Sequence, residues 1–218
     1  MSTVVVCGGS YNDFDDRYPG LHWASRLTPH EVYILARGGA SNFSIWHQIR
    51  HCVEFKPDVL LVCFTSCPRV EFLKTSKIKS VVTNTVWPED RQWHYRNAIF
   101  DSVDHALPNY NHKKFVSWMP YYVEEYDILK NFLYIKSALE FLDQQKINYY
   151  FSLGDFETYL GQEVTGIPID FAQHQHRNLL PNPATHPEHL QPDPYFHISD
   201  ANWHAAHAEL VKSLIPND

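Results

Sequence analysis

The chain has 218 residues, 44% of them hydrophobic and 20% charged, with a formal net charge of −7. That balance suits one large α/β domain with a substantial core and excludes a disordered chain, and the negative charge, with no lysine- or arginine-rich run, excludes general binding to nucleic acid. No stretch approaches a membrane span, and the short apolar run Val4 to Cys7, without a basic flank, excludes a signal peptide, so a cytoplasmic protein is expected.

Val4-Val5-Val6-Cys7 reads as a buried strand that runs into Gly8-Gly9-Ser10. Glycines at a strand's end let the chain turn sharply, which sets the next side chain on the sheet edge where open α/β sheets bind ligands. Ser10 is therefore a candidate nucleophile, the alternative being a serine that caps a turn or helix. Residues 11–20 form a polar loop whose Asp13, Asp15 and Asp16 suit either a polyhydroxyl substrate or a solvated surface. Leu21, Trp23, Ala24 and Leu27 fit a short amphipathic helix.

Val32 to Ala36 is a second strand, ending in Gly38-Gly39-Ala40-Ser41-Asn42. A helix is expected from Ser41 to Phe55 with Ile45, Ile49, Cys52 and Val53 on one face, capped by Ser41 or Asn42. Val59 to Phe64 is the clearest buried strand, followed by Thr65-Ser66-Cys67-Pro68-Arg69. Strands alternating with helices predict a parallel sheet.

Residues 73–120 read as an irregular aromatic-rich insertion with short helices, around Trp87, Trp93, Tyr95 and Trp118. A long helix follows from Tyr122 to Gln145, then a strand from Ile147 to Leu153, a loop from Gly161 to Gln191 and a final helix from about Asp200 to Leu214. Without repeat or linker, residues 1–218 read as one domain. The cysteines Cys7, Cys52, Cys63 and Cys67 lie in or beside apolar segments and read as reduced thiols.

A serine nucleophile needs a base, an acid to orient it and donors for the oxyanion. The stretch 193–207 supplies bases densely, with an acid and an imidazole a few residues apart ahead of the last helix. Taken together, these blocks resemble the SGNH (GDSL-type) hydrolase family, particularly its divergent members encoded by tailed phages. The resemblance implies a three-layer α/β/α sandwich with a central, mostly parallel sheet, the flavodoxin-like SGNH hydrolase fold. It also implies ester hydrolysis by a Ser-His-Asp triad on a small-molecule or glycan ester, with no cofactor.

Carried over by position, the resemblance makes Ser10 the nucleophile and one oxyanion N–H donor, and Gly39 the second donor. Thr65 falls where the family has its third-block asparagine, and Asn42 is an alternative amide donor or a helix cap. His197 is the base and Asp193 its partner, with Asp200 and His204 an equally spaced alternative. Three departures stand out. Gly9 replaces the first-block aspartate, Cys63-Phe64-Thr65-Ser66 replaces Gly-x-Asn-Asp, and one extra residue separates Asp193 from His197. Arg69 and Glu71, just after the third strand, suit a substrate carboxylate or phosphate, or form an ordinary surface pair.

Two other readings follow from the same residues. The departures fit a binding or virion-associated structural protein that keeps the fold with weak or no catalysis. Half of the 14 histidines lie between His174 and His207, among them His176, His186 and His189, and His204-x-x-His207 on a helix is a possible ligand pair. The loop histidines lack a fixed ligand spacing, so no metal is assigned.

Overall fold

The first strand, β1 (Thr3–Gly8), carries three consecutive valines and is buried from Val4 onward, as a strand covered on both faces must be. The computed structural model in which it lies describes residues 1–9, 12, 22–36, 40–65, 69–73, 93–94, 100–104, 123–182 and 200–216, with backbone alone for 69–73, 93–94, 100–104 and 155. A 3₁₀ turn (Trp23–Arg26) leads into β2 (Glu31–Ile34), and α1 (Asn42–Cys52) leads into β3 (Val59–Cys63). Then come β4 (Arg69–Leu73), β5 (Trp93–His94), β6 (Phe100–Asp104), α2 (Glu124–Gln144) and β7 (Tyr149–Ser152). A small hairpin of β8 (Glu163–Val164) and β9 (Ile167–Pro168), a 3₁₀ helix (Ala172–Arg177) and α3 (Ala201–Leu214) complete the order.

The central sheet has the order β5-β2-β1-β3-β7, and all its pairings are parallel. Alternation sorts its side chains. Val5, Cys7, Leu60, Val62, Tyr149 and Phe151 meet α1 and α2 on one face. Val4, Val6, Val59 and Leu61 meet Trp23, Leu27 and the Trp203, Ala208 and Val211 stripe of α3 on the other. The result is the expected α/β/α layering. β4 and β6 pair with each other, antiparallel, as a separate two-stranded sheet.

Some elements depart from expectation. The helix expected over 21–27 is a four-residue 3₁₀ turn with His22 Nδ1 accepting from the Ala24 N–H at its start. Leu27 ends it, and Thr28-Pro29 follows at once, a pair that disfavours helical backbone. The described residues of the stretch 73–120 are strand, not helix. The expected loop from Gly161 contains the β8–β9 hairpin, whose turn residues Thr165 and Gly166 both take positive φ, 51° and 80°. That is the two-residue turn geometry that matches strand twist.

The outer side of β7 is not bare. Arg177 Nη1 donates to the Tyr149 carbonyl at 3.1 Å and the Leu180 N–H donates to the Phe151 carbonyl at 3.2 Å.

Candidate active site

Gly8, Cys63 and Ser152 stand opposite one another in register, so β1, β3 and β7 end side by side. The link from β1 to β2 carries the Trp23 turn over one face, and the link from β2 to β3 carries α1 over the other. The chain therefore leaves in opposite directions at the β1/β3 edge. Such a switch point opens a crevice beyond the strand ends, where open α/β sheets take their ligands.

Gly8 is required at that edge. Its φ is +152°, and a Cβ would lie 2.9 Å from the Cys63 carbonyl oxygen and 3.0 Å from Asn12 Nδ2. Its peptide groups are held from the side by Gln48, fully buried on α1. The Gly8 N–H donates to Gln48 Oε1 at 2.8 Å, and Gln48 Nε2 donates to the Gly8 carbonyl at 3.3 Å. Beyond the strand, Asn12 Nδ2 donates to the Cys7 carbonyl at 3.2 Å, and the Asn12 N–H donates to the Gly9 carbonyl at 3.1 Å. That last bond joins two described residues three apart in sequence.

The end of β3 is held by a second carboxamide. Ser41 caps α1, its Oγ accepting from the Ser44 N–H at 3.1 Å, so Asn42 is the first helical residue and not the cap. The Thr65 N–H donates to Asn42 Oδ1, and Asn42 Nδ2 donates back to the Thr65 carbonyl, both at 2.9 Å. The other N–H of Asn42 goes to Asn131 Oδ1 at 3.0 Å, and Asn131 Nδ2 donates to the Asp127 carbonyl at 2.7 Å. A relay thus runs from α2 through Asn42 to the Thr65 backbone. It corrects the expectation that Asn42 offers an amide to an oxyanion: both its N–H bonds are spent. What Asn42 does is position Thr65, whose hydroxyl makes no hydrogen bond among the described residues.

Ser10, Gly39, Asp193 and His197 lie outside the described residues, as do His186 and His189. Arg69 and Glu71 lie on β4 opposite Asp104 and Ser102, outside the central sheet. The alternative pair Asp200 and His204 serves α3 instead. Asp200 Oδ1 accepts from the Asn202 N–H at 2.8 Å as the cap, and His204 Nδ1 accepts from the Trp23 N–H at 3.2 Å. A neutral imidazole that accepts at Nδ1 carries its proton on Nε2, so it has no lone pair there for a serine proton.

His207 stacks on Trp203 and meets Trp23, each with ring centroids 4.7 Å apart. Burial, and secondarily the neighbouring His204, push its pKa down to about 3, so it is neutral. His174 lies against the first residue of β7, with Nδ1 2.9 Å from the Tyr149 hydroxyl and 3.4 Å from Asp143 Oδ2. His204 and His207 are thus packed into an indole layer and His174 into a Tyr–Asp pair. Among the described residues no group of three or more histidine, cysteine, aspartate or glutamate side chains is arranged to hold a metal, nor is any helix long and apolar enough to cross a membrane.

Gln48, Asn131 and Asn12 escaped the sequence reading. The first two have a signal: each is a polar residue inside an apolar helical stripe, Gln48 beside Ile45, Ile49 and Cys52, Asn131 beside Ile128, Phe132 and Ile135. A polar side chain at such a position needs a buried partner, and here the partners are backbone groups of the strand ends or the neighbouring carboxamide.

No family model matches the sequence, and no curated protein matches it. Among solved structures, the crystal structure of an acetyl xylan esterase, AlAXEase, aligns over 98% of this chain and 100% of its own, with 12% identity and a TM-score of 0.49.

Proposed function

We propose that the protein is a serine ester hydrolase, of esterase or carbohydrate deacetylase type, with Ser10 as nucleophile. The observation that supports this most is the β1/β3 edge. There Gly8, close-packed and clamped by Gln48, ends β1 at the switch point two residues before Ser10 in sequence. In this reading His197 takes the Ser10 proton as the hydroxyl attacks an acyl carbonyl, and Asp193 orients the imidazole through its other nitrogen. The N–H groups of Ser10 and Gly39 and the Thr65 hydroxyl donate to the oxyanion. Collapse of the tetrahedral adduct expels the alcohol, protonated by His197, and water activated by the same histidine releases the acyl group.

The tautomer of His204 supports Asp193 and His197 over Asp200 and His204 as the dyad. A fluorophosphonate probe, followed by mass mapping, tests the reading. Labelling at Ser10 that is lost in His197→Ala, together with loss of short-chain ester turnover in Ser10→Ala, is the expected result. A folded protein that is not labelled overturns it.

One observation favours a second reading, a binding or virion-associated structural protein with weak chemistry. The Thr65 N–H and the Asn42 carboxamide are spent on each other, leaving only a hydroxyl where the resembling family has an amide. Loss of one oxyanion donor costs roughly 10²–10³ in rate. The failure of labelling described above is the outcome that this reading expects.

A further inference from the structure

We propose that a cavity beside β7, separate from the β1/β3 edge, binds a small organic cation: an ammonium group carried on a compact apolar body. The cavity measures about 330 Å³, opens to solvent, and among the described residues is lined by ones from 151 to 178. That volume is at the small end of the roughly 300–1,000 Å³ typical of small-molecule sites. Its floor is apolar. Phe151 and Ile169 are fully buried in the core and Leu153 nearly so, which fixes the floor before any ligand arrives.

The charged groups around it are of one sign. Glu157 and Asp170 bring carboxylates, and Gln175 and Asn178 bring carboxamides, whereas no lysine, arginine or histidine is among the described residues that line the cavity. The walls are held by main-chain bonds, Gly161 N–H to the Ile169 carbonyl at 3.1 Å and Leu160 N–H to the Glu157 carbonyl at 3.2 Å. Asp170 spends Oδ1 on the Ala172 N–H at 2.7 Å, which orients its carboxylate and leaves Oδ2 for a ligand. The side chains of Glu157, Gln175 and Asn178 make no hydrogen bond among the described residues. An anion entering here meets two carboxylates with no cationic side chain among the described lining residues to offset them. A neutral apolar molecule gains the floor but not the charges. A cation with an apolar body satisfies both, and the chain's net charge of −7 favours its approach.

Titration of the full chain at low salt with 2-phenylethylammonium tests this, with 2-phenylethanol and 3-phenylpropionate as neutral and anionic counterparts. The expected result is saturable one-site binding of the ammonium, at least tenfold tighter than either counterpart. It should weaken tenfold or more in a Glu157→Gln, Asp170→Asn double variant and disappear in Ala172→Phe, which fills the cavity from an exposed position. Circular dichroism should show both variants folded, and Ser10→Ala should bind like the parent. Equal binding of the three compounds, no saturable binding of the ammonium, or undiminished binding by the folded double variant overturns the proposal.

Discussion

The two faces of the central sheet are built on different chemistry. On the α1/α2 face the side chains that grip the strand ends are carboxamides turned onto backbone: Gln48 onto Gly8, and Asn42 onto Thr65 with Asn131 behind it. On the α3 face a layer of imidazoles and indoles, His22, His204 and His207 with Trp23 and Trp203, packs behind the sheet. There Trp23 Nε1 and His207 Nδ1 are buried without a hydrogen-bond partner among the described residues. A carboxamide has no charge to gain or lose, so its clamp on the strand ends holds across pH. An imidazole packed between indoles is stable only while neutral. The first face fixes the geometry of the edge, and the second decides the conditions under which the helix behind it stays docked.

The largest effect should come from the first face. Gly154, after β7, has φ +58°, and a Cβ there would fall 2.4 Å from the Phe64 carbonyl oxygen. Backbone strain and overlap add, so Gly154→Ala should cost about 3 kcal/mol or more. Urea unfolding would show it, and a loss below 1 kcal/mol would mean that β3 and β7 do not hold each other at that point.

Acid should act next, on the second face. The folded pKa of His207 is about 3, below the 6.5 of the unfolded chain. Between those values the unfolded state binds the extra proton, so the contribution is complete above pH 6.5 and is lost as pH falls toward 3, at up to about 1.4 kcal/mol per pH unit. His174, against Tyr149 on the first face, is also lowered, by burial first and with His176 and Arg177 opposing the upward pull of Asp143 and Glu140, so its contribution has the same sign. Thermal melts across that range should fall steeply with acid in the parent and less so in His207→Phe. An identical slope in the two would assign the acid sensitivity elsewhere.

The third test sharpens the contrast. Gln48→Leu fills the same space but leaves the Gly8 N–H and carbonyl unpaired, at a cost of about 1–3 kcal/mol. That loss should be independent of pH, in contrast with His207, and should slow fluorophosphonate labelling at Ser10.

The layers were legible because period and burial coincide. Val4–Cys7 and Val59–Cys63 are continuous apolar runs, and the stripe from Ile128 to Leu142 recurs at helical spacing. The β8–β9 hairpin was not, because its turn puts a β-branched threonine at φ 51°, a conformation threonine rarely adopts, so Thr165-Gly166 gives no turn signal of the Asn-Gly kind. At the edge, Gly8-Gly9 announced the strand end, but the role of Asn42 did not follow from its place in the chain. Its partners Thr65 and Asn131 are 23 and 89 residues away in sequence, and only the docking of α1 against β3 and α2 brings them together.

The two bonds along the outer side of β7 bear on how this protein behaves at high concentration. An edge strand with free carbonyls is a template on which a second chain can lay a strand. Here the Tyr149 carbonyl is taken by a guanidinium and the Phe151 carbonyl by the Leu180 amide, two successive outward acceptors. Sheet extension from this side therefore requires displacing Arg177 and peeling away the segment around Leu180, which makes β7 a poor seed for self-association.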